Sequence, residues 1–224
     1  MLIGPEPLGT VAYLGGVPAV PEAFCCAWGQ LVQFTAEQFA GTGGYVHWAR
    51  STHSFHATAR NELVRNFLGD WLLMLDTDMP PPPDLVVRML RAAEAGGADV
   101  LTGLYCHKRP PHGPVLYVKA PEGRRFLTAG DWTRTAPLLR VDGAGAGCLF
   151  VRRAVFTRIV TELHEEPFDI APPLSEDLSF CERLGTLGIP LWCAPSIAVG
   201  HLRESAVTPA DFDPSEGLLV PYAR

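Results

Sequence analysis

The stretch Ala57 to Val86, ATARNELVRNFLGDWLLMLDTDMPPPPDLV, decides the fold. Its centre, Asp70 to Leu75, is a nearly continuous apolar run, the pattern of a strand covered on both faces. The run ends at Asp76, and Pro80 to Pro83 prevent its continuation, so acidic side chains are left at the carboxyl end of a buried strand. Upstream, His56 to Leu68 has helical spacing and is closed by Gly69. Downstream, Asp84 is positioned to cap a helix over Leu85 to Ala95 that Gly96-Gly97 stops.

Outward from this unit the alternation continues. Val11 to Leu14 reads as a strand, Gly15-Gly16 as a turn, Pro21 to Phe34 as a helix and Gly44 to Ala49 as a second strand. After the central unit come a strand over Asp99 to Leu104 and an aperiodic middle from Cys106 to Leu139. A small-then-apolar segment, Gly143 to Val151, is followed by helices over Ala154 to His164 and Glu176 to Leu187, the latter with Ser175 as cap. Pro190 to Val199 is a last strand, and His201 follows it directly. Strands alternating with helices predict an α/β fold with an open, mainly parallel central sheet flanked by helices, whose ligands bind beyond the carboxyl ends of the strands. Asp76, Asp78 and His201 are all placed at such ends.

Composition narrows the possibilities. The 224 residues, 47% of them hydrophobic, suit one α/β domain over 1–224, and the 22 Gly and 21 Pro are scattered as turn punctuation. A formal net charge of -6 without charge blocks supplies no general attraction for nucleic acid. Arg outnumbers Lys sixteen to two and none precedes Arg50, so the first fifth holds phosphate only through backbone groups or a metal. No segment reaches transmembrane length and the start lacks a signal-peptide pattern, which predicts a soluble cytoplasmic protein. The six cysteines lack CxxC pairing and read as reduced, mostly buried thiols.

Two carboxylates one residue apart at a strand end repel unless a cation or hydrogen bonds compensate them. Taken alone, Asp76-Thr77-Asp78 is equally compatible with a solvated turn or a helix cap. Arg60 alone reads as a surface helix charge, Glu176-Asp177 as acids favouring a helix N-terminus, and His201 as an ordinary hydrogen-bonded histidine.

Order and spacing change that reading. The segment around Ala59-Arg60-Asn61 and Asp76-Thr77-Asp78, then GAGAGCLFVRRAVF, then SEDLSFCERLGTLGIPLWCAPSIAVGH, together resemble GT-A glycosyltransferases of the large inverting family-2 type over about Val11 to His201. The resemblance implies a nucleotide-sugar donor half over 1–104, an acceptor-side half over 105–201 and a tail over 202–224. It implies that Asp78 and His201 ligate a divalent cation and that Asp76 contacts the ribose or a water on the metal. Arg60, Asn61 and Gly15 would line the nucleotide-diphosphate site. Asp177 would be the base that accepts the hydroxyl proton, with Glu176 beside it on the acceptor. An imidazole ligand favours Mn²⁺ over Mg²⁺. The partners implied are a UDP- or GDP-sugar and an unidentified acceptor hydroxyl, on a glycan, small molecule, protein or modified DNA base, with nucleic acid not favoured. A helix N-terminus at Asp177 predicts a stabilised carboxylate and hence a weak base. Gly143, Gly145 and Gly147 are expected to shape the acceptor side, Trp132, Tyr105 and His107 to pack in the core or in surface loops by default with sugar platforms as the alternative, and Arg152-Arg153 to form a phosphate contact or a solvated pair. A sugar nucleotidyltransferase and a non-catalytic nucleotide-sugar or carbohydrate-binding protein are the other readings. The lack of an early basic glycine-rich loop counts against the first, and the retained acids and His201 against the second.

Overall fold

A computed structural model describes residues 6–121, 123–127, 136–203 and 206–207. In chain order the first half runs β1 (Glu6–Tyr13), α1 (Glu22–Phe39), β2 (Gly44–Arg50), α2 (His56–Asn66), β3 (Trp71–Leu75), α3 (Leu85–Gly96) and β4 (Val100–Leu104). The middle holds β5 (Leu116–Ala120), β6 (Gly123–Phe126), β7 (Leu139–Val141) and β8 (Gly143–Ala144). Then follow β9 (Cys148–Arg152), α4 (Arg153–Arg158) with a π turn over Ile159–Leu163, α5 (Glu176–Thr186), β10 (Leu191–Ala198), β11 (His201–Leu202) and β12 (Ala206–Val207).

The main sheet has the order β2-β1-β3-β9-β4-β10-β7. Strands β2, β1, β3, β4 and β10 run one way, and β9 and β7 run against them. The expected mainly parallel α/β sheet is present, with one difference at its centre. There β9 enters between β3 and β4 as an antiparallel strand, although Cys148 to Val151 is as fully buried as β3. Burial on both faces makes the two strand directions look alike in hydropathy, so periodicity does not separate them.

Strand β3 is buried at all five positions, and each large aliphatic side chain there contributes roughly 1.5–3 kcal/mol by leaving water. Helix α3 buries Leu85, Val86, Met89 and Ala93 on one stripe and ends at Gly97, whose φ of 59° is the left-handed stop expected. Asp84 makes no side-chain cap; its carboxylate instead lies 3.7 Å from Arg88 one turn on. Ser175 likewise does not cap α5, because its hydroxyl donates to Asp177 Oδ1.

The middle segment forms a small sheet, β6-β5-β8, above the carboxyl ends of the main strands. Trp132 lies outside the described residues. Four cysteines are buried as expected, but Cys25 and Cys26 are exposed on α1, where they fall on the face turned away from the sheet. Among the described residues no helix is long and apolar enough to cross a membrane.

The bend from α2 into β3 turns on Gly69, with φ 79° and the backbone of Leu8 and Gly9 so close that an added Cβ would lie 2.4 Å away. Backbone there has no room to yield. Gly69→Ala is therefore expected to lower stability by about 2–4 kcal/mol, combining left-handed strain with overpacking, as read from the denaturant midpoint at unchanged m.

Candidate active site

The register of β3 against β9 builds the site. Leu75 pairs with Cys148, so the next residue, Asp76, meets the glycine segment and donates its amide to Gly147 O at 3.0 Å. An added Cβ on Gly147 would come within 2.5 Å of Met79 Cε, and one on Gly145 within 2.2 Å of the Tyr105 hydroxyl. The alternating glycines thus let Tyr105 and Met79 pack under the acids. Tyr105 is buried, and its oxygen accepts the Gly147 amide at 3.1 Å. Burial, with Asp76 nearby, pushes its ionisation well above the usual range. This phenol stays neutral and acts as part of the floor, the packing role that was its default, and not as a sugar platform.

Arg60 is the centre of the acidic cluster. Its side chain is 2% exposed, carried on α2 beside the small residues Ala57 and Ala59. One terminal nitrogen donates to Asp76 Oδ1 at 2.9 Å, the other to Ala146 O at 3.0 Å, and Nε lies 3.5 Å from Glu176 Oε1. Burial works against this charge, but Asp76, Glu176 and Asp177 outweigh it and raise the guanidinium's pKa. Asn61 points elsewhere: its amide donates to Asp169 Oδ1 at 3.0 Å and its oxygen accepts from Phe168 N at 2.9 Å. It ties α2 to the chain segment preceding α5.

Asp78 has a different neighbourhood. His201 Nε2 lies 3.6 Å from its Oδ2, and Lys108 Nζ contacts the same oxygen. His201 Nδ1 is 2.7 Å from Cys106 O. A carbonyl only accepts, so Nδ1 carries a proton and Nε2 is the ring nitrogen that faces Asp78. That is the orientation a metal-ligating histidine takes from its outer partner. The other carboxylate oxygen, Asp78 Oδ1, is buried without a hydrogen-bond partner. Burial raises the carboxyl's pKa, but His201 and Lys108 overcome this and hold it at about 2.

A carboxylate with one oxygen unpartnered among the described residues, and an imidazole Nε2 3.6 Å from its other oxygen, are donors that suit a divalent cation, the imidazole fitting Mn²⁺. Among the described residues no three His, Cys, Asp or Glu side chains form a complete metal cage. Such an ion would need substrate oxygens and water to fill its shell, as expected for a diphosphate-bound metal.

At the N-terminus of α5, Glu176 faces Arg60 and, at 3.7 Å, His56 Nδ1. Asp177 Oδ1 accepts from the Ser175 hydroxyl and from Leu178 N at 2.8 Å. Its carboxyl pKa is raised, first by burial and then by Glu176, against the lowering pull of Ser175, Arg60 and Leu178 N. The helix terminus was expected to weaken this base. Desolvation by the surrounding protein prevails instead and makes it a stronger one.

Other expected residues lie apart. Gly15 donates its amide to Ser51 Oγ at 3.0 Å, and an added Cβ would sit 2.2 Å from Ser51 O. It is a tight joint between the ends of β1 and β2. Arg153 stacks over Phe67 at 3.8 Å and donates to Gly69 O and Phe67 O, while Arg152 lies 3.8 Å from Asp99. Both belong to packing behind the site rather than to phosphate binding. His107 packs edge-on against Phe126, and burial, with His201 nearby, lowers its pKa to about 4. Lys108 and His56 were missed. Neither stands in a recognisable motif, and the one signal for Lys108 is the scarcity of lysine in the chain.

Comparison with known proteins bears on the fold and on part of the chain. Residues 34–137 match the family model Glycosyl transferase family 2. The succinoglycan biosynthesis protein ExoM of Rhizobium meliloti (strain 1021) is 32% identical over 94 residues, 42% of this chain and 26% of that protein. The match thus spans about a quarter of that relative's length. The crystal structure of A197 from STIV aligns with a TM-score of 0.58 at 19% identity, over 96% of this chain and 99% of that one. GalNAc-T7, crystallised with UDP, GalNAc and Mn²⁺, aligns with a TM-score of 0.61 at 13% identity, over 87% of this chain and 43% of that one. The protein has the GT-A fold. Its residues 34–137 are similar to family-2 glycosyltransferases. That stretch contains Arg60, Asn61, Asp76 and Asp78 and ends before Glu176, Asp177 and His201.

Arg60→Met, which keeps most of the volume but leaves Asp76 and Glu176 facing an apolar side chain, is expected to destabilise the fold by about 3 kcal/mol. Thermal unfolding checks this, with Arg60→Lys recovering only part of the loss because one ammonium does not reproduce the guanidinium's three contacts.

Proposed function

We propose that the protein is a metal-dependent glycosyltransferase that moves a sugar from a nucleotide-diphosphate sugar, a UDP- or GDP-sugar, to an acceptor hydroxyl with inversion. The observation that carries this reading is the pairing of Asp78, its Oδ1 buried without a partner, with His201, turned by Cys106 O to present Nε2. Acids from β3 and α5 meet around them through Arg60.

In this reading Asp78 and His201 hold Mn²⁺ or Mg²⁺, with Mn²⁺ favoured by the imidazole. The ion's chemistry there is to neutralise the charge that develops on the departing diphosphate. Asp76, held ionised and oriented by Arg60, faces the ribose. The acceptor hydroxyl oxygen attacks the anomeric carbon as the bond to the diphosphate breaks, the electron pair leaving with the diphosphate. Asp177 takes the hydroxyl proton on Oδ2, while Ser175 and Leu178 N hold Oδ1. Glu176, between Arg60 and His56, lies on the acceptor side of this base. Gly15 and Asn61 serve the nucleotide site indirectly, by fixing the turns that frame it.

The test is a panel of UDP-, GDP- and dTDP-sugars offered to the full chain with and without Mn²⁺, followed by calorimetry and nucleotide release. Donor binding that requires Mn²⁺ and favours one nucleotide is expected; equal, metal-independent binding of every donor overturns the reading. Asp78→Ala should abolish the Mn²⁺ requirement together with tight donor binding. Asp177→Asn should bind donor as the parent does and transfer about 10²- to 10⁴-fold more slowly, the usual contribution of a positioned base.

A base acts only when unprotonated, and the Asp177 pKa is raised above 3.8. Transfer should therefore be complete above that raised value and decline as pH falls through it. The limb is to be recorded under saturating donor, and its disappearance from the residual rate of Asp177→Asn would identify its owner.

A further inference from the structure

The ammonium on Asp78 has no part in the reaction as described. Lys108 is one of two lysines in a chain with sixteen arginines, and it contacts the aspartate whose other oxygen is unpartnered. Its backbone is pinned. His107 N donates to Gly113 O at 2.9 Å, His112 N to Arg109 O at 3.0 Å, and Arg203 Nη1 to Lys108 O at 2.7 Å. Its side chain is 36% exposed and lies at the rim, so four flexible methylenes lead from a fixed anchor to the metal-side aspartate.

Charge decides what that arrangement does. Asp76 and Glu176 share the buried guanidinium of Arg60, whereas among the described residues Asp78 has only Lys108 and the imidazole of His201 as charge partners. A divalent cation arriving at Asp78 repels an ammonium already there, and its two charges outcompete one. The diphosphate that accompanies the cation brings negative oxygens to the same rim. Arginine would lock onto a carboxylate with a planar fork, but lysine is a point charge on a long stem and exchanges one anion for another without moving its backbone.

We propose that Lys108 is a donor-binding residue with two positions: it neutralises Asp78 in the free protein and moves to the diphosphate oxygens of the donor when a divalent cation takes Asp78. This rests on the metal-dependent reading given above. It makes Asp78 stable without metal and recruits the displaced charge to the leaving group.

The test measures binding rather than turnover. Mn²⁺ is titrated by electron paramagnetic resonance into the full chain, alone and with UDP, GDP or dTDP, for the parent, Lys108→Met and Lys108→Arg, with circular dichroism confirming the same fold. Lys108→Met should bind Mn²⁺ alone about two- to fivefold tighter, because a partly exposed ion pair no longer competes. The same variant should bind the nucleoside diphosphate with Mn²⁺ about tenfold or more weakly, through loss of a charge-assisted contact. Lys108→Arg, held on Asp78 by its planar fork, should bind Mn²⁺ no tighter than the parent and should bind the nucleoside diphosphate with Mn²⁺ more weakly than the parent. If the parent binds Mn²⁺ with a nucleoside diphosphate and Lys108→Met does so identically, the two-position role is wrong and the metal-dependent reading stands. If the parent binds no Mn²⁺ with any of the three diphosphates, both fall.

Discussion

A buried guanidinium holds this site together. Arg60 has almost no contact with water, and an uncompensated charge in such a place costs several kcal/mol, so the chain must bring anionic partners to it. It does so from three directions: Asp76 from the end of β3, Glu176 from the start of α5 and the Ala146 carbonyl from the glycine segment. These elements come from both halves of the sequence. Satisfying one charge therefore fixes β3 and α5 relative to each other.

That constraint divides the two aspartates. Asp76 is neutralised from within the protein, whereas Asp78 is left with an oxygen that nothing in the described structure partners. One acid is committed to architecture and the other is available to a cation. The same crowding acts on Asp177, where burial and Glu176 prevail over the stabilising influence of a helix N-terminus. A carboxylate of raised pKa holds a proton more firmly once it has accepted one, a property the proposed role of Asp177 draws on.

Much of this organisation is legible in residue order. The apolar run of β3, the prolines after Met79 and the glycines at 69 and 97 specify strand, stop and turns by local chemistry, and each occurs where it was expected. Side-chain destinations are less legible. Arg60 sits on a helix of low mean hydropathy, where exposure would be the ordinary outcome, and nothing in its neighbours announces burial. Ser175 and Asp84 have the identities of caps but turn to side chains in the first turn of their own helices, Asp177 and Arg88, instead of to the helix amides. Arg152 and Arg153, adjacent in sequence, diverge to Asp99 and to Phe67.

By itself the sequence determined the elements, their alternation and the placement of Asp76, Asp78 and His201 at strand ends, since these follow from periodicity and from residues that break it. Only the tertiary structure decided that β9 enters antiparallel between β3 and β4, which sets Gly147 against Asp76 and brings Tyr105 beneath the acids. Only it decided that Arg60 joins Asp76 to Glu176 and that Lys108 reaches Asp78. The physical reason is range. Hydropathy and turn chemistry act over a few residues and leave their mark on the local sequence, whereas a buried charge is compensated by whichever groups the fold brings within about 4 Å, however distant along the chain.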